Sequence, residues 1–356
     1  MTERLRVGVD MSILRHPFAG TSRWATGLVR TLRADPSLAV KEWVGARRLK
    51  RGGPARKVGN LLLERAWYDF ELPRRAQGAG VQALIMPANL TAGRTKIPQI
   101  VTIHDVNFLS RPGTYDRLYA IYAEREFRRS AARASRITTV SEYSRAQIAS
   151  YFGIDRSRIE VVYPGLDEPP AESPGLAPLD QPYALYVGAS EPHKDIPTAI
   201  RAWRHLADIP LMLAVVGQPG RDHDNVEALA SQMHGRVVVA GQVSGQNLER
   251  WYRCATVFVF PSQTEGFGYP PLEAMLRGVP VVTSRAASLP EVLGPASLYF
   301  DVGNDEMLAD QVRRIWVDQA LRQRLIEDGH RQAALYTWAA TGAAIGRIVR
   351  TVLGHF

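Results

Sequence analysis

Between Thr256 and Thr283 the chain reads TVFVFPSQTEGFGYPPLEAMLRGVPVVT, and no other stretch restricts the fold as much. Val257 to Phe260 is an apolar run too short for a helix and closed by Pro261, the pattern of a buried parallel strand. Gly266 and Gly268 flank Phe267 where the backbone must turn sharply or approach a ligand closely. Pro270 stands where a helix starts without needing an amide donor, and Gly278 stops that helix after about Arg277. Strand, glycine loop and helix start together predict an α/β unit that offers free amides and a positive dipole end to an anion, most often a phosphate. Glu265 in the loop and Glu273 in the first turns of the helix bracket this point. Either they reach polar groups of a ligand, or Glu273 only complements the helix dipole, worth about 0.3–1 kcal/mol, and Glu265 is a solvated loop residue.

The run Glu-Gly-Phe-Gly-x-Pro-x-Leu-Glu-Ala, followed by Gly-Val-Pro-Val-Val, resembles the nucleotide-sugar signature of the retaining glycosyltransferases of family 4 (group 1). The likeness extends over nearly the whole chain and lies nearest in pattern to bacterial mannosyl- and other hexosyltransferases. It implies an α/β fold of two facing Rossmann-like domains (GT-B), a cleft between them, and a C-terminal helix crossing back to the first domain. It implies further that Glu273 binds the ribose hydroxyls, Glu265 the transferred sugar, and the amides of Gly266, Phe267 and Gly268 the sugar and diphosphate.

At 356 residues the chain is long enough for two ordinary domains, and no apolar stretch approaches eighteen residues. The opening MTERLRVGVD reads as a first strand without a signal pattern, and Cys254 is the only cysteine, so the expected location is the cytoplasm. The net charge of +9 is unevenly spread. Up to Pro164 there are 28 Lys and Arg against 14 Asp and Glu; beyond it, 16 against 21. The halves therefore carry +14 and −5. Arg47 to Lys57 holds six basic residues and no acid, and Arg125 to Arg136 holds five against Glu126 alone. Charge segregated in this way suggests that the first domain meets a polyanion, either nucleic acid or an anionic membrane surface such as the inner face of the plasma membrane.

The first half reads as a strand from Arg6 to Asp10, a loop through Phe18 and Gly20, and a helix from about Arg23 to Arg33 capped by Thr21 or Ser22. A helix from Leu61 to Gln77 carries Trp67, Tyr68 and Phe70. Strands at Val81 to Met86 and Ile97 to Ile103 end at Asn89 and at His104-Asp105, the strand edge where open α/β sheets place ligands. A long helix from Asp116 to Ala134 has Leu118, Ile121, Tyr122 and Phe127 spaced for burial; a strand from Arg136 to Val140 and a helix capped by Ser141 follow. Six prolines in the nineteen residues from Pro164 to Pro182 read as a linker of restricted flexibility. The expected domains are residues 1–164 and 183–337, with linker 165–182 and a returning helix at 338–356.

The second half opens in the same way: a strand from Tyr183 to Val187, then Gly188-Ala-Ser-Glu-Pro-His-Lys194-Asp, then a helix from about Pro197. The resemblance gives Lys194 the donor diphosphate and places Gly188 and Ser190 beside it. Many family members carry an Arg after the glycine where this chain has Ala189, so a second cation would come from His193 or Arg23. The loops after Leu211 to Val216 and after Arg236 to Ala240, the latter with Val243, would border the base. By the resemblance, Gly20 would lie close to both the donor phosphates and the acceptor, and Asn89 and His104 would meet the acceptor, with His104 beside the reacting sugar. Asp222-His-Asp224 has a metal-like spacing, but the resemblance implies no metal or other cofactor. After the signature, Val279 to Thr283 is a strand, Ser288 caps a short helix, and helices fill Asp305 to Leu335.

The function expected is therefore retaining transfer of a hexose, mannose favoured, from a nucleotide diphosphate sugar to an acceptor hydroxyl in bacterial polysaccharide or glycolipid assembly. His104, Lys194 and Glu265 are the candidate catalytic residues. Nucleic acid is not an expected partner. The alternatives are glycosylation of a small secondary metabolite, a nucleotide-sugar epimerase, and a non-enzymatic polyanion-binding protein.

Overall fold

The computed structural model describes residues 4–15, 20–45, 54–111, 113, 115, 117–170 and 175–354. It divides into two compact units, residues 1–165 with 337–356, and residues 166–336. The Arg47 to Lys57 cluster lies mostly outside the described residues, as does the loop at Phe18.

In the first unit, β1 (Leu5–Asp10), β2 (Leu38–Trp43), β3 (Ala83–Met86), β4 (Gln99–Thr102), β5 (Arg136–Thr139) and β6 (Ile159–Val161) form a parallel sheet ordered β2-β1-β3-β4-β5-β6. Side chains alternate across it. Ala83 and Ile85 join one core with Val7, Val9, Trp24 and Leu28, while Leu84 and Met86 join another with Trp67, Leu72, Val101 and Phe127. Burial on both faces is what makes these strands short continuous apolar runs. The Trp338–Val352 helix lies on the first core, against the Gly20–Ala34 helix. A Cβ at Gly27 would run into the Trp338 indole, so glycine permits that approach. The Thr341 hydroxyl also donates to the Tyr163 carbonyl at 2.8 Å.

The second unit repeats the scheme. Its strands are β7 (Tyr183–Val187), β8 (Met212–Val216), β9 (Val237–Gly241), β10 (Val257–Phe260), β11 (Val281–Ser284) and β12 (Ser297–Phe300), all parallel in the order β12-β11-β10-β7-β8-β9. The two sheets with their flanking helices are the α/β architecture that the sequence implies.

Several elements differ from the sequence reading. Gly20 is the first residue of a helix, not part of a loop, and Ser22 is no cap because its hydroxyl donates to the Ile13 carbonyl at 3.0 Å. The Leu61 to Gln77 helix is instead three joined pieces, Pro54–Ala66, a π-helical turn at Trp67–Glu71, and Leu72–Gly78. The turn has a local cause: it lets Trp67 Nε1 and the Tyr68 hydroxyl both reach the buried Asp10 carboxylate, at 3.1 and 2.9 Å. Strand β2 has no counterpart in the sequence reading because Lys41 and Glu42 interrupt its apolar pattern, as an edge strand tolerates. In the Arg117–Arg133 helix, Phe127 is buried as its spacing predicts, with Ala123 and Ala131, but Leu118 and Ile121 are 78% and 58% exposed.

Candidate functional site

In the second unit the strand order reverses between β7 and β10, so the chain leaves these neighbouring strands toward opposite sides. Such a point leaves a crevice at the strands' carboxyl ends. Lys194 follows β7 in a short turn at Pro192–Lys194, and Glu265 follows β10. Gln263 N–H donates to the His193 carbonyl at 2.8 Å and ties the two loops together. Lys194 Nζ reaches Glu265 Oε1 at 2.6 Å and lies 5.5 Å above the centre of the Phe260 ring. The two side chains are 19% and 13% exposed, which makes this a partly desolvated ion pair and not a surface one.

The loop between Glu265 and the Tyr269–Leu276 helix is held from below. Gly268 has φ of +98°, and a Cβ there would lie 2.9 Å from Leu289. Phe267 is buried, edge-on to Tyr269 and Tyr336. Ser288 is not the helix cap that its position suggests: its hydroxyl donates to the Glu265 and Phe267 carbonyls, at 2.9 and 3.3 Å. Occupying those carbonyls fixes the plane of each peptide, and with it the direction of the amides at Gly266 and Gly268. In the helix itself, Glu273 Oε2 accepts the Tyr252 hydroxyl at 2.8 Å.

The other residues predicted for this region are less alike in their placement. Gly188 N–H donates to Val216 O, and a Cβ at Gly217 would collide with the Gly188 carbonyl, so the loops after β7 and β8 touch through backbone. Ser190 is buried, with its N–H on Gln218 O and its carbonyl on Asp222 N. His193 has its pKa lowered to about 4, first by burial and then by Lys194, so with no anion bound beside it the ring is neutral at pH 7. Val243 lies past edge strand β9, two strands away from β7. Asp222 and Asp224 stand at the start of the His223–Ser231 helix, where Asp222 accepts Asn225 Nδ2 at 3.1 Å. Among the described residues no three His, Cys, Asp or Glu side chains gather as a metal site.

In the first unit the structure brings Asn89 and His104 together. Asn89, at φ of +60°, accepts the His104 N–H on Oδ1 at 3.1 Å, and its own N–H donates to Thr102 O. The His104 ring places Nε2 2.9 Å from the Pro87 carbonyl, and Trp24 of the helix that begins at Gly20 meets it edge-on. Burial lowers the His104 pKa to about 4, against the raising effect of Pro87, so the ring is a neutral imidazole at pH 7. An open pocket of about 130 Å³ is lined by Ala88 and Leu90, the chain neighbours of Asn89, and by Ser12, Asn60, Glu64, Trp67 and Tyr68 among others. Below it Asp10 is fully buried; burial raises its pKa, opposed by hydrogen bonds from Ser12, Tyr68 and Trp67. The sequence reading gave Ser288 only a cap and assigned no role to Tyr252 or Asp10. Only Asp10 left a signal, as a carboxylate ending an apolar strand.

Residues 169–332 match the family model described as "Glycosyl transferases group 1", and residues 28–168 match that described as "Glycosyltransferase Family 4". An O-antigen chain mannosyltransferase B of Escherichia coli is 32% identical over 255 residues, 67% of this chain and 66% of that one. The match thus spans slightly under two thirds of that relative's length. Among solved structures, a sucrose-phosphate synthase from Thermosynechococcus elongatus covers 99% of this chain and all of its own at TM-score 0.74 and 18% identity. The Anabaena protein HepE, solved in complex with UDP-glucose, covers 98% of this chain and all of its own at TM-score 0.71 and 14% identity, a likeness of fold. With paired six-stranded parallel sheets, a glycine loop between two glutamates, and both halves matched by their own family model, this chain belongs to the family 4 glycosyltransferases of GT-B fold.

Proposed function

We propose that the protein transfers a hexose, mannose favoured, from a nucleotide diphosphate sugar to an acceptor hydroxyl with retention of anomeric configuration. The observation that carries the reading is the Lys194–Glu265 pair at the strand-order reversal, beside the glycine turn into the Tyr269–Leu276 helix. Lys194 and the amides of that turn offset the negative charge that develops on the departing diphosphate. Glu265 holds the sugar and Glu273 the ribose. Within the first unit, neutral His104, with Asn89 fixing its backbone, is the candidate for meeting the acceptor. The reaction so built draws on no divalent cation, and unchanged turnover in EDTA is the expected result. Mannose is favoured by the O-antigen mannosyltransferase relative, and HepE with UDP-glucose supports a nucleotide-sugar donor.

The acceptor we propose is carried at an anionic membrane as part of a polysaccharide or glycolipid. Supporting this are the +14 of the first half and the exposed Leu62, Leu118 and Ile121 on the two helices joined by the Tyr122–Glu64 and Arg65–Glu126 bonds. No helix among the described residues is long and apolar enough to cross a membrane, and the contact we propose is a peripheral one made by that charged, apolar-tipped surface. Each Lys or Arg near such a surface adds about 1 kcal/mol, screened by salt.

The deciding experiment is a thermal-shift screen of GDP, UDP, dTDP and ADP, followed by transfer assays with the matching sugar donors. A ligand at one hundred times its Kd stabilises the fold by about 2.7 kcal/mol. No shift with any nucleotide, and no sugar released or transferred, would sink the reading. For the membrane, co-sedimentation with anionic vesicles should fall when Leu62, Leu118 and Ile121 become Ser; equal binding to neutral vesicles counts against it.

A further inference from the structure

Directly behind Glu273 lies a buried ionic and aromatic cluster that the proposed reaction does not use. Glu249, on the Gly245–Arg253 helix, is 5% exposed. Its Oε2 accepts both Nε and Nη2 of Arg277, at 2.9 and 2.6 Å, and its Oε1 accepts Arg253 Nε at 2.5 Å. Burial pushes the Glu249 carboxyl up, but Arg277 and Arg253 outweigh it and hold the pKa below the ordinary value. The carboxylate therefore stays charged at neutral pH and fixes the Arg277 fork in place.

Arg277 acts on two neighbours. Its Nη1 donates to the Glu273 carbonyl at 2.9 Å, and its guanidinium lies over the Tyr252 ring, 5.0 Å from the centre. Tyr252 is 1% exposed, stacks with Phe258 at 5.7 Å, and gives its hydroxyl proton to Glu273 Oε2 at 2.8 Å. A glutamate carboxyl turns freely about its last torsion unless something holds it. Here one oxygen is held from the protein side before any ligand arrives.

We propose that Tyr252 is a positioning residue for Glu273: it fixes one carboxylate oxygen so that the other is presented to the ribose hydroxyls, and the Glu249–Arg277 pair keeps the tyrosine ring in register. This rests on the reading that Glu273 takes the ribose of a nucleoside diphosphate. A carboxylate only accepts hydrogen bonds, and both ribose hydroxyls donate, so the fixed geometry selects ribose over deoxyribose. The gain lies in ordering the group beforehand.

The test is calorimetry on the full chain with GDP, UDP and the 2′,3′-dideoxy form of each, for the unmodified protein, Tyr252→Phe, Glu273→Gln and the double variant. The unmodified protein should prefer the ribonucleotide by about tenfold or more. Tyr252→Phe should weaken the ribonucleotide by roughly 5- to 20-fold, leave the dideoxy form within about twofold, and change nothing further in the Glu273→Gln background. Equal weakening of both ligands, or of neither, overturns the positioning role. Arg277→Met, which removes the clamp and keeps Tyr252, should lower the same ratio and serves if Tyr252→Phe does not fold. If the unmodified protein binds both forms alike, the ribose role of Glu273 falls. If it binds neither nucleotide, and the thermal-shift screen shows no shift with ADP or dTDP either, the donor reading falls too, and the inference with it.

Discussion

Replacing Glu265 by Gln should tighten nucleoside diphosphate binding while slowing transfer. Lys194 Nζ and Glu265 Oε1 are 2.6 Å apart with both side chains mostly buried, so a diphosphate must compete with the carboxylate for the ammonium. At an effective dielectric of about 20 the gross attraction at that separation is roughly 6 kcal/mol. Desolvation offsets most of it and leaves a charge-assisted bond of about 1.5–3 kcal/mol. Gln keeps the shape and a neutral acceptor, worth about 0.5–1.5 kcal/mol, so on the order of 1 kcal/mol of the lysine's interaction is released to the diphosphate. That corresponds to roughly 5- to 10-fold tighter binding. The sugar-bearing donor loses its contact with Glu265, so kcat falls. Calorimetry with the nucleoside diphosphate, beside transfer kinetics on the same preparations, reads both effects. If Glu265→Gln weakens nucleoside diphosphate binding as much as Lys194→Ala does, the division of labour within the pair is wrong.

Lys194→Ala should cost about ten- to more than one-hundred-fold in nucleoside diphosphate affinity, and unchanged calorimetry would remove Lys194 from the site. Ser288→Ala frees the Glu265 and Phe267 carbonyls, so KM for the donor should rise with a loss of only about 1–2 kcal/mol in stability; an unchanged KM counts against its hold on the loop. His104 is lowered to about 4 in the fold against about 6.5 unfolded, so the unfolded chain takes up its proton first as pH falls. Stability should therefore be unaffected by this group above about pH 6.5 and drop by up to roughly 3 kcal/mol between pH 6.5 and 4, and His104→Gln should flatten that part of a urea-midpoint profile. Gly27→Ala, which drives a methyl into Trp338, should destabilise by about 1–3 kcal/mol; an unshifted melting curve would mean that the final helix does not need that approach.

Read alone, the sequence determined the α/β class, most of the parallel strands, the glycine turn and the family. These depend on local pattern: apolar runs buried on two faces, glycine where a Cβ does not fit, and a proline that needs no donor. Val257–Phe260 and Trp338–Val352 are legible in this way from neighbouring residues alone. The tertiary structure decided what local pattern leaves open. Leu118, Ile121 and Phe127 all have helical spacing suited to burial, yet only Phe127 of these faces the core, beside Ala123, because the rotation of a helix is set by what it packs on. Ser288 reads as a cap, but carbonyls 21 and 23 residues away compete for its hydroxyl and take it. Lys194 and Glu265 are 71 residues apart, and only the order of β7 beside β10 makes them an ion pair. Tyr252 carries no motif, since its hydroxyl acquires a role only where the fold places it 2.8 Å from Glu273. Periodicity and turn chemistry act over a few residues, whereas hydrogen bonds and charge pairs are selected by distance in space, and that distance is fixed only once the sheets have formed.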